Sequence, residues 1–192
     1  MSKLLLRKTW RLCGIIFPLA YYFGSKRITL IAVLLFLGIF LLIELLRFTI
    51  PKLNKRLFIS FGYYFKETEK KKLITTTTFL ISFLISVLLF RKDIAITAML
   101  FSIFGDAASA VVGVHGKKII FRKSIEGSLA FLVTCLAIGL ALGLTKIHLA
   151  PAIFILGAFS ATIIELLPLP VDDNLTIALA AGAVMSVMSK FI

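Results

Sequence analysis

A succession of long apolar runs, separated by short polar or basic segments, constrains this chain more than any other feature. Of its 192 residues, 60% are hydrophobic, and the mean hydropathy is +1.05. Soluble domains are about 45–50% apolar. Runs that approach about 20 residues match the thickness of a bilayer when they form helices. The sequence therefore predicts an all-α integral membrane protein, with residues 1–192 forming a single transmembrane domain.

The lengths of the apolar runs predict about seven transmembrane helices, within a range of six to eight. The predicted helices cover residues 11–24, 28–47, 73–90, 94–113, 126–145, 148–167 and 173–190. The first of these runs is the shortest. It follows a basic N-terminus, as a secretory signal does, but no small-residue cleavage site follows it, so we interpret it as a retained span.

The longest polar segment, residues 48–72, mixes cations with aromatic residues. Its cations after the preceding helix are Lys52, Lys55, Arg56, Lys66, Lys70, Lys71 and Lys72, and its aromatic residues are Phe58, Phe61, Tyr63, Tyr64 and Phe65. This composition is typical of a segment that lies among lipid headgroups. We expect a cytoplasmic interfacial segment here. Contact with the phosphates of a nucleotide is the alternative.

The distribution of positive charge predicts the orientation in the membrane. The net charge is +13. If the N-terminus is inside, 16 of the 22 Lys and Arg residues lie on the inner side and six on the outer side. Cytoplasmic loops carry the excess of Lys and Arg, so this orientation is favoured. We expect an integral protein of a prokaryotic plasma membrane with a cytoplasmic active face. Cations placed between spans argue against nucleic-acid binding.

The stretch from Gly105 to Gly116 concentrates the residues most suited to chemistry. Asp106 lies close to an apolar run, where a carboxylate is costly and usually functional. On a helix, Ser102, Asp106, Ser109 and Gly113 would share one small polar face. A basic loop over residues 114–125 follows, with cations at Lys117, Lys118, Arg122 and Lys123. A carboxylate, glycine turns and a cation cluster together suit a metal-bound phosphate.

Two further polar blocks precede apolar runs, and each has a simpler explanation. Asp172 and Asp173 can cap a helix, and Ser124 with Glu126 can do the same for another. Capping requires one Asp, however, and here two are followed by Asn174. A helix N-terminus preceded by Lys123 is itself suited to phosphate. Capping and phosphate binding can therefore coexist.

These blocks, taken in order, resemble the polyprenol kinase family. The resemblance rests on Gly-Asp-Ala-Ala-Ser-Ala at 105–110, Gly113, Gly116-Lys117, Lys-Ser-Ile-Glu-Gly-Ser at 123–128, Glu-Leu-Leu-Pro at 165–168 and Asp-Asp-Asn-Leu at 172–175. It covers roughly residues 66–182. The family includes dolichol, phytol and farnesol kinases and CTP-dependent diacylglycerol kinases, and it is distantly related to the phosphatidate cytidylyltransferases.

The resemblance implies a CTP-dependent kinase that phosphorylates a membrane lipid alcohol with Mg²⁺. It implies catalytic roles for Asp106, Asp172, Asp173 and Glu126, with the first three as candidate metal ligands. The nucleotide-binding residues it implies are Gly105, Ser109, Gly113, Gly116, Lys117, Arg122, Lys123, Ser124 and Asn174. CTP or another nucleotide, the lipid alcohol and the bilayer are the expected partners. No feature selects one alcohol or an oligomeric state.

Three other functions remain open at this point. A CTP-dependent diacylglycerol kinase would differ only in its acceptor. A phosphatidate cytidylyltransferase would need the same nucleotide and metal but would break the α–β phosphate bond. A small transporter would hold its substrate near the bilayer midplane, often between inverted repeats. No internal repeat stands out here, and most of the acidic residues gather at one predicted membrane face.

Overall fold

A computed structural model describes residues 12–65, 67–121, 123–147, 149–169 and 171–192, and these form a helical bundle. The helices are α1 Cys13–Phe23, which begins with a 3₁₀ turn, α2 Lys26–Thr49, α3 Pro51–Ser60, α4 Thr75–Leu89, α5 Lys92–Gly113, α6 Ile125–Gly143, α7 Pro151–Leu166 and α8 Asp173–Met188. A 3₁₀ turn covers Glu67–Lys70. Strands β1 Ile119–Ile120 and β2 Lys123–Ser124 form a small antiparallel hairpin.

Each of the seven predicted apolar runs contains one helix, so the all-α prediction is confirmed. Among the described residues, three helices are long and apolar enough to cross a membrane: α2, α5 and α6. The other four, α1, α4, α7 and α8, are apolar but have only 10–17 residues. Helix length therefore supports three spans and does not support the predicted seven, since a full crossing needs about 20 residues.

Helix α5 is the most enclosed of the three long helices and organises the bundle. In its most apolar window 61% of the residues are buried, against 22% in α2 and 28% in α6. Phe101 of α5 packs in one core cluster with Phe131 of α6, Phe154 of α7 and Met185 of α8. Residues Phe101–Gly105 form a π-helical turn. Such turns locally change the direction of side chains and are frequent at functional sites.

Helix ends that are far apart in the chain come together: Lys26 donates to the backbone carbonyl of Leu88, and Lys92 donates to that of Gly24. Ser25, Ser124 and Asp172 are the N-caps of α2, α6 and α8, and each accepts a bond from a backbone N–H in the first turn. Such caps satisfy donors that the helix itself leaves free. The ends of α5 and α7 meet the starts of α4, α6 and α8, so that the Asp106, Lys123 and Asp172 regions lie at one end of the bundle.

The two predicted loops contain regular structure. The 48–72 segment forms α3 and the 3₁₀ turn, and the 114–125 loop contains the β-hairpin, whose turn residue Phe121 has a φ of 57°. Arg47 anchors the first of these segments from a fully buried position. It forms an ion pair with Glu44, as the spacing of three predicts, and donates to the backbone carbonyls of Glu69 and Lys72.

Candidate functional site

A cavity of about 650 Å³ opens at the end of the bundle where the acidic residues gather. Its polar end lies between α4, α5, α7 and the start of α8. The polar and charged lining residues are Tyr64, Glu69, Thr75, Thr76, Asp106, Ser109, Lys123, Ser124, Glu165, Asp172 and Asp173. Its other end is apolar and lies between α1, α2 and α4. This size and this combination of apolar walls with a few polar groups are typical of a small-molecule site.

Lys123 connects the hairpin to the helices behind it. Its Nζ lies 2.8 Å from Asp173 Oδ2 and 3.2 Å from Glu165 Oε1, and it also donates to the backbone carbonyl of Glu165. Burial lowers the pKa of Lys123, but the hydrogen bond to Asp173 and the two carboxylate charges raise it more, so its pKa lies above the usual value. The lysine is therefore a permanent cation at the polar end of the cavity.

Glu165 is held in place by two serines from two other helices. Ser109 of α5 donates to its Oε1 at 2.8 Å, and Ser128 of α6 donates to its Oε2 at 2.9 Å. The side chain is only 2% exposed. A buried carboxylate with both oxygens bonded and a cation beside it is electrostatically satisfied. Glu165 therefore fixes the position of Lys123 and the packing of α5, α6 and α7.

Asp172 combines capping with an approach to the cavity. Its Oδ1 accepts bonds from the backbone N–H of Asn174 at 3.0 Å and from the Asn174 amide at 2.6 Å. Its Oδ2 is 3.5 Å from the Thr75 hydroxyl, at the limit of a hydrogen bond. Asn174 itself is buried, and its carbonyl accepts bonds from Ser82 and Ser102. Capping thus occupies one oxygen of Asp172 and leaves the other directed toward the cavity wall at Thr75.

The residues of the predicted polar face of α5 face two places: the start of α8 and the cavity. Ser102 contacts the start of α8 through the carbonyl of Asn174, whereas Asp106, Ser109 and Gly113 line the cavity. Asp106 follows the π-helical turn directly and is 7% exposed. The cavity thus has carboxylates from four separate chain segments on its walls: Glu69 of the 3₁₀ turn, Asp106 of α5, Glu165 of α7 and the Asp172-Asp173 pair.

Five of the predicted site residues that the structure describes lie away from the cavity lining. Gly105 contacts the Phe131 ring so closely that a Cβ would lie 2.6 Å from it, so this glycine serves helix packing. Gly116 similarly packs against Ser124. The backbone N–H groups of Lys117 and Lys118 donate to Glu126 Oε1 at 3.0 and 3.3 Å. Glu126 therefore fixes the hairpin, and the Lys117 side chain is exposed.

Asn174 is the fifth of these residues. Asn174 braces Asp172 and does not line the cavity. Arg122 lies outside the described residues. Of the predicted nucleotide-binding residues, Ser109, Gly113, Lys123 and Ser124 do line the cavity.

The structure adds residues that sequence reasoning missed. Glu69 lines the cavity and accepts bonds from both the hydroxyl and the backbone N–H of Thr75. Ser128 holds Glu165, although the sequence placed it only at the end of a motif. The sequence signal for Ser128 was its spacing: it lies four residues after Ser124, the predicted cap, and therefore about one helical turn further along. No signal pointed to Glu69, because its contact with Thr75 depends on how the 3₁₀ turn folds back onto α4.

The donor chemistry of the cavity fits Mg²⁺ that arrives with a phosphate ligand. Five carboxylates and one cation are found among the described lining residues. No three of the described His, Cys, Asp or Glu side chains are clustered so as to hold a metal by themselves. Mg²⁺ usually takes one or two carboxylates and completes its shell with waters and substrate phosphates. The three predicted metal ligands Asp106, Asp172 and Asp173 all line the cavity, and Asp173 is also paired with Lys123.

Comparison with known proteins identifies a relative of similar length. The chain is 30% identical over 183 residues to a protein of Rickettsia prowazekii (strain Madrid E) named "Uncharacterized protein RP860". The match spans 91% of this chain and 89% of the relative. No family model matches the chain, and no solved structure matches it.

Proposed function

The chain belongs to the same protein family as the uncharacterized protein RP860 of Rickettsia prowazekii, and we propose that it is a CTP-dependent lipid-alcohol kinase. Its acceptor is a polyprenol or other isoprenoid alcohol, and the reaction uses Mg²⁺. The proposal rests on one structural observation above all. A single cavity joins an apolar region between α1, α2 and α4 to a polar end that contains Asp106, Lys123 and Asp172.

The charges around the cavity favour an uncharged acceptor. The described lining has Glu69, Asp106, Glu165, Asp172 and Asp173 against the single cation Lys123, and that cation is already paired. A lipid phosphate without its own cation would be repelled by this excess of negative charge. A hydroxyl has no such penalty. This supports the kinase over a cytidylyltransferase that acts on phosphatidate.

Each polar residue then has a distinct task in phosphoryl transfer. Asp106 orients the acceptor hydroxyl and takes its proton as the oxygen attacks the γ-phosphorus. The bond from the γ-phosphorus to the β-γ bridging oxygen breaks, and CDP leaves. Lys123, fixed by Glu165 and Asp173, stabilises charge on the phosphates. Asp172 would hold Mg²⁺, which would neutralise phosphate charge.

We propose that all seven apolar helices cross the membrane, with the acidic end on the cytoplasmic side. The excess of Lys and Arg in the segments that the sequence places on the inner side supports this arrangement. The four short helices have 10–17 residues, so they would require a locally thin bilayer or polar ends within the headgroup region.

A labelling experiment tests the proposed reaction. Purified protein in lipid nanodiscs is incubated with Mg²⁺, a lipid alcohol and CTP labelled at either the γ- or the α-phosphate. Transfer of γ-label to the lipid, with release of CDP, is the expected result. Transfer of α-label with release of pyrophosphate would instead establish a cytidylyltransferase. Diacylglycerol, dolichol, phytol and geranylgeraniol are compared as acceptors, and the absence of lipid labelling with all of them would overturn the proposal.

A further inference from the structure

The apolar half of the cavity has a composition that a hydrocarbon chain would require. It is lined by Gly14 and Phe17 of α1, Phe36 and Phe40 of α2, and Phe79 and Leu80 of α4. None of these six side chains is charged or can form a strong hydrogen bond. Asp106 and Asp172 line the other half of the same cavity. A ligand that fills both halves must therefore have an apolar tail and a polar head.

Aromatic rings line the apolar half and contact one another. Phe17 contacts Phe36 edge to face, with ring centroids 5.5 Å apart, and it contacts Phe83 at 5.2 Å. Phe83 is almost fully buried in the core, whereas Phe36 is 51% exposed. The rings therefore extend from the core to the surface of the bundle between α1, α2 and α4.

Gly14 sets the distance between α1 and α4. A Cβ at this position would lie 2.8 Å from the Phe79 ring, so only glycine permits the observed approach without displacing that ring. Helix α1 thus lies close over the groove and narrows it. At the outer edge of the groove, Phe36 and Ile16 are exposed on the lipid-facing surface of the bundle. This edge offers an entrance from the bilayer.

The cavity is too small for a whole long-chain lipid together with a nucleotide. Its volume is about 650 Å³, and cavities of about 300–1,000 Å³ accommodate drug-sized ligands. The polar end must also take the phosphates of the donor. Only the part of the lipid chain next to the hydroxyl can then be inside the protein, and the rest must lie in the bilayer.

We propose that the groove formed by Gly14, Phe17, Phe36, Phe40, Phe79 and Leu80 binds the head-proximal segment of a single hydrocarbon chain of a neutral lipid alcohol. This inference deepens the proposed function and rests on it for the role of the hydroxyl. It assigns selectivity to the first carbons of the acceptor. The total length of the lipid chain is not recognised, because the remaining carbons lie outside the groove.

A substrate series tests which part of the lipid is recognised. Isoprenoid alcohols of 15, 20 and 50 carbons are expected to give kcat/KM values within about threefold of one another when presented at equal mole fraction in nanodiscs. Diacylglycerol, whose second chain has no room in the groove, is expected to be at least tenfold poorer. Equal rates with diacylglycerol, or a steady dependence on chain length, would overturn the inference while leaving the kinase function intact.

Variants test the groove by separating lipid from nucleotide binding. Phe79→Ala and Gly14→Leu are expected to raise the KM for the alcohol at least fivefold and to leave the KM for CTP unchanged. Phe159→Ala is the matched control, since Phe159 is exposed on α7 and does not line the cavity. An unchanged KM for the alcohol in both groove variants, with wild-type thermal stability, would contradict the assignment.

A photolabelling experiment tests lipid binding in the groove independently of phosphoryl transfer. A 20-carbon alcohol with a diazirine three carbons from the hydroxyl is photolysed with the wild-type protein, and the labelled peptides are sequenced. Label is expected on the α1 and α4 peptides that contain Phe17 and Phe79, and excess unlabelled alcohol should remove it. Labelling spread over the outer faces of α2 and α7, without competition, would overturn the groove even if the protein phosphorylates alcohols. If labelling is as expected but no phosphoryl transfer occurs, the proposed function fails and the lipid site remains.

Discussion

The ammonium group of Lys123 lies 2.8 Å from the carboxylate of Asp173, and this contact joins two motifs that are 50 residues apart in the chain. Both side chains are partly exposed, and Glu165 forms a second ion pair with Lys123. It brings the hairpin that precedes α6 to the N-terminus of α8. The polar end of the cavity therefore depends on three segments folding together.

Substitution of the acidic residues at the cavity separates capping from chemistry. Asp172→Asn should retain the α8 cap, because Asn caps a helix about as well as Asp. The substitution removes a negative charge that Mg²⁺ would need in a ligand. We expect a fall in kcat of about 10²-fold or more with near-normal thermal stability, since one preorganised electrostatic contact contributes that much. Steady-state rates and unfolding temperatures measure the two effects.

Asp106→Asn provides the companion test. Asp106 lies within α5 and caps no helix terminus, so its carboxylate is expected to matter for the reaction. We expect a fall in kcat of about 10²-fold or more, comparable to that of Asp172→Asn. If both variants retain near wild-type kcat over a magnesium titration, the assignment of the site to these carboxylates is wrong.

Replacement of Lys123 should reduce both stability and activity. Lys123→Met removes the cation that balances Asp173 and Glu165, and we expect a loss of about 1 kcal/mol or more because Glu165 then lacks its buried partner. Lys190→Met, at an exposed site near the other end of α8, is the matched control. Activity is expected to fall far more in Lys123→Met than in the control, as measured by γ-label transfer.

The raised pKa of Lys123 predicts how this stabilisation depends on pH. A lysine whose pKa is higher in the folded protein stabilises fully below its unfolded value of 10.5 and loses that contribution as the pH rises through the folded value. The difference in unfolding temperature between wild type and Lys123→Met should therefore be constant from pH 7 to about 10 and shrink only above that. A difference that disappears near neutral pH would show that the cation is not held as described.

The neutral replacement of Glu165 tests its role in positioning Lys123. Glu165→Gln keeps the shape of the side chain but places an amide NH₂ opposite one of the Ser109 and Ser128 hydroxyls and removes the charge beside Lys123. We expect a loss of about 1–3 kcal/mol for the disturbed buried hydrogen bonds, seen as a lower unfolding temperature. Glu67→Gln, at an exposed position, should be neutral. A pH-rate profile unchanged in shape would distinguish positioning from proton transfer.

Removal of the Glu126 carboxylate tests whether it acts in chemistry or in holding the hairpin. Glu126→Ala should free the N–H groups of Lys117 and Lys118, and their hydrogen exchange should become faster. Because Glu126 does not line the cavity, we expect a fall in kcat of only a few-fold. A fall as large as that of Asp106→Asn, without faster exchange, would restore the catalytic role that the resemblance implied.

The sequence alone determined the elements and the chemical types of the site residues. Runs of apolar residues must be helical in a bilayer, since only internal hydrogen bonds satisfy the backbone there, and seven helices form in the predicted places. The caps at Ser124 and Asp172 are local effects of the same kind, because they depend on neighbouring residues. The ion pair between Glu44 and Arg47 is also a local effect, because the two residues are three positions apart on one helix.

Only the tertiary structure decided which polar residues face one another. The sequence predicts that Gly105 and Gly116 belong to a phosphate-binding loop. In the structure Gly105 packs closely against Phe131, and Gly116 packs closely against Ser124. Glu126 fixes the hairpin, and Glu165 becomes the central carboxylate because α5, α6 and α7 converge on it. Contacts between residues far apart in the chain depend on helix packing angles and on the π-helical turn in α5. The one-dimensional pattern of polar and apolar residues contains neither quantity, whereas it does contain the spacing that fixes helices and caps.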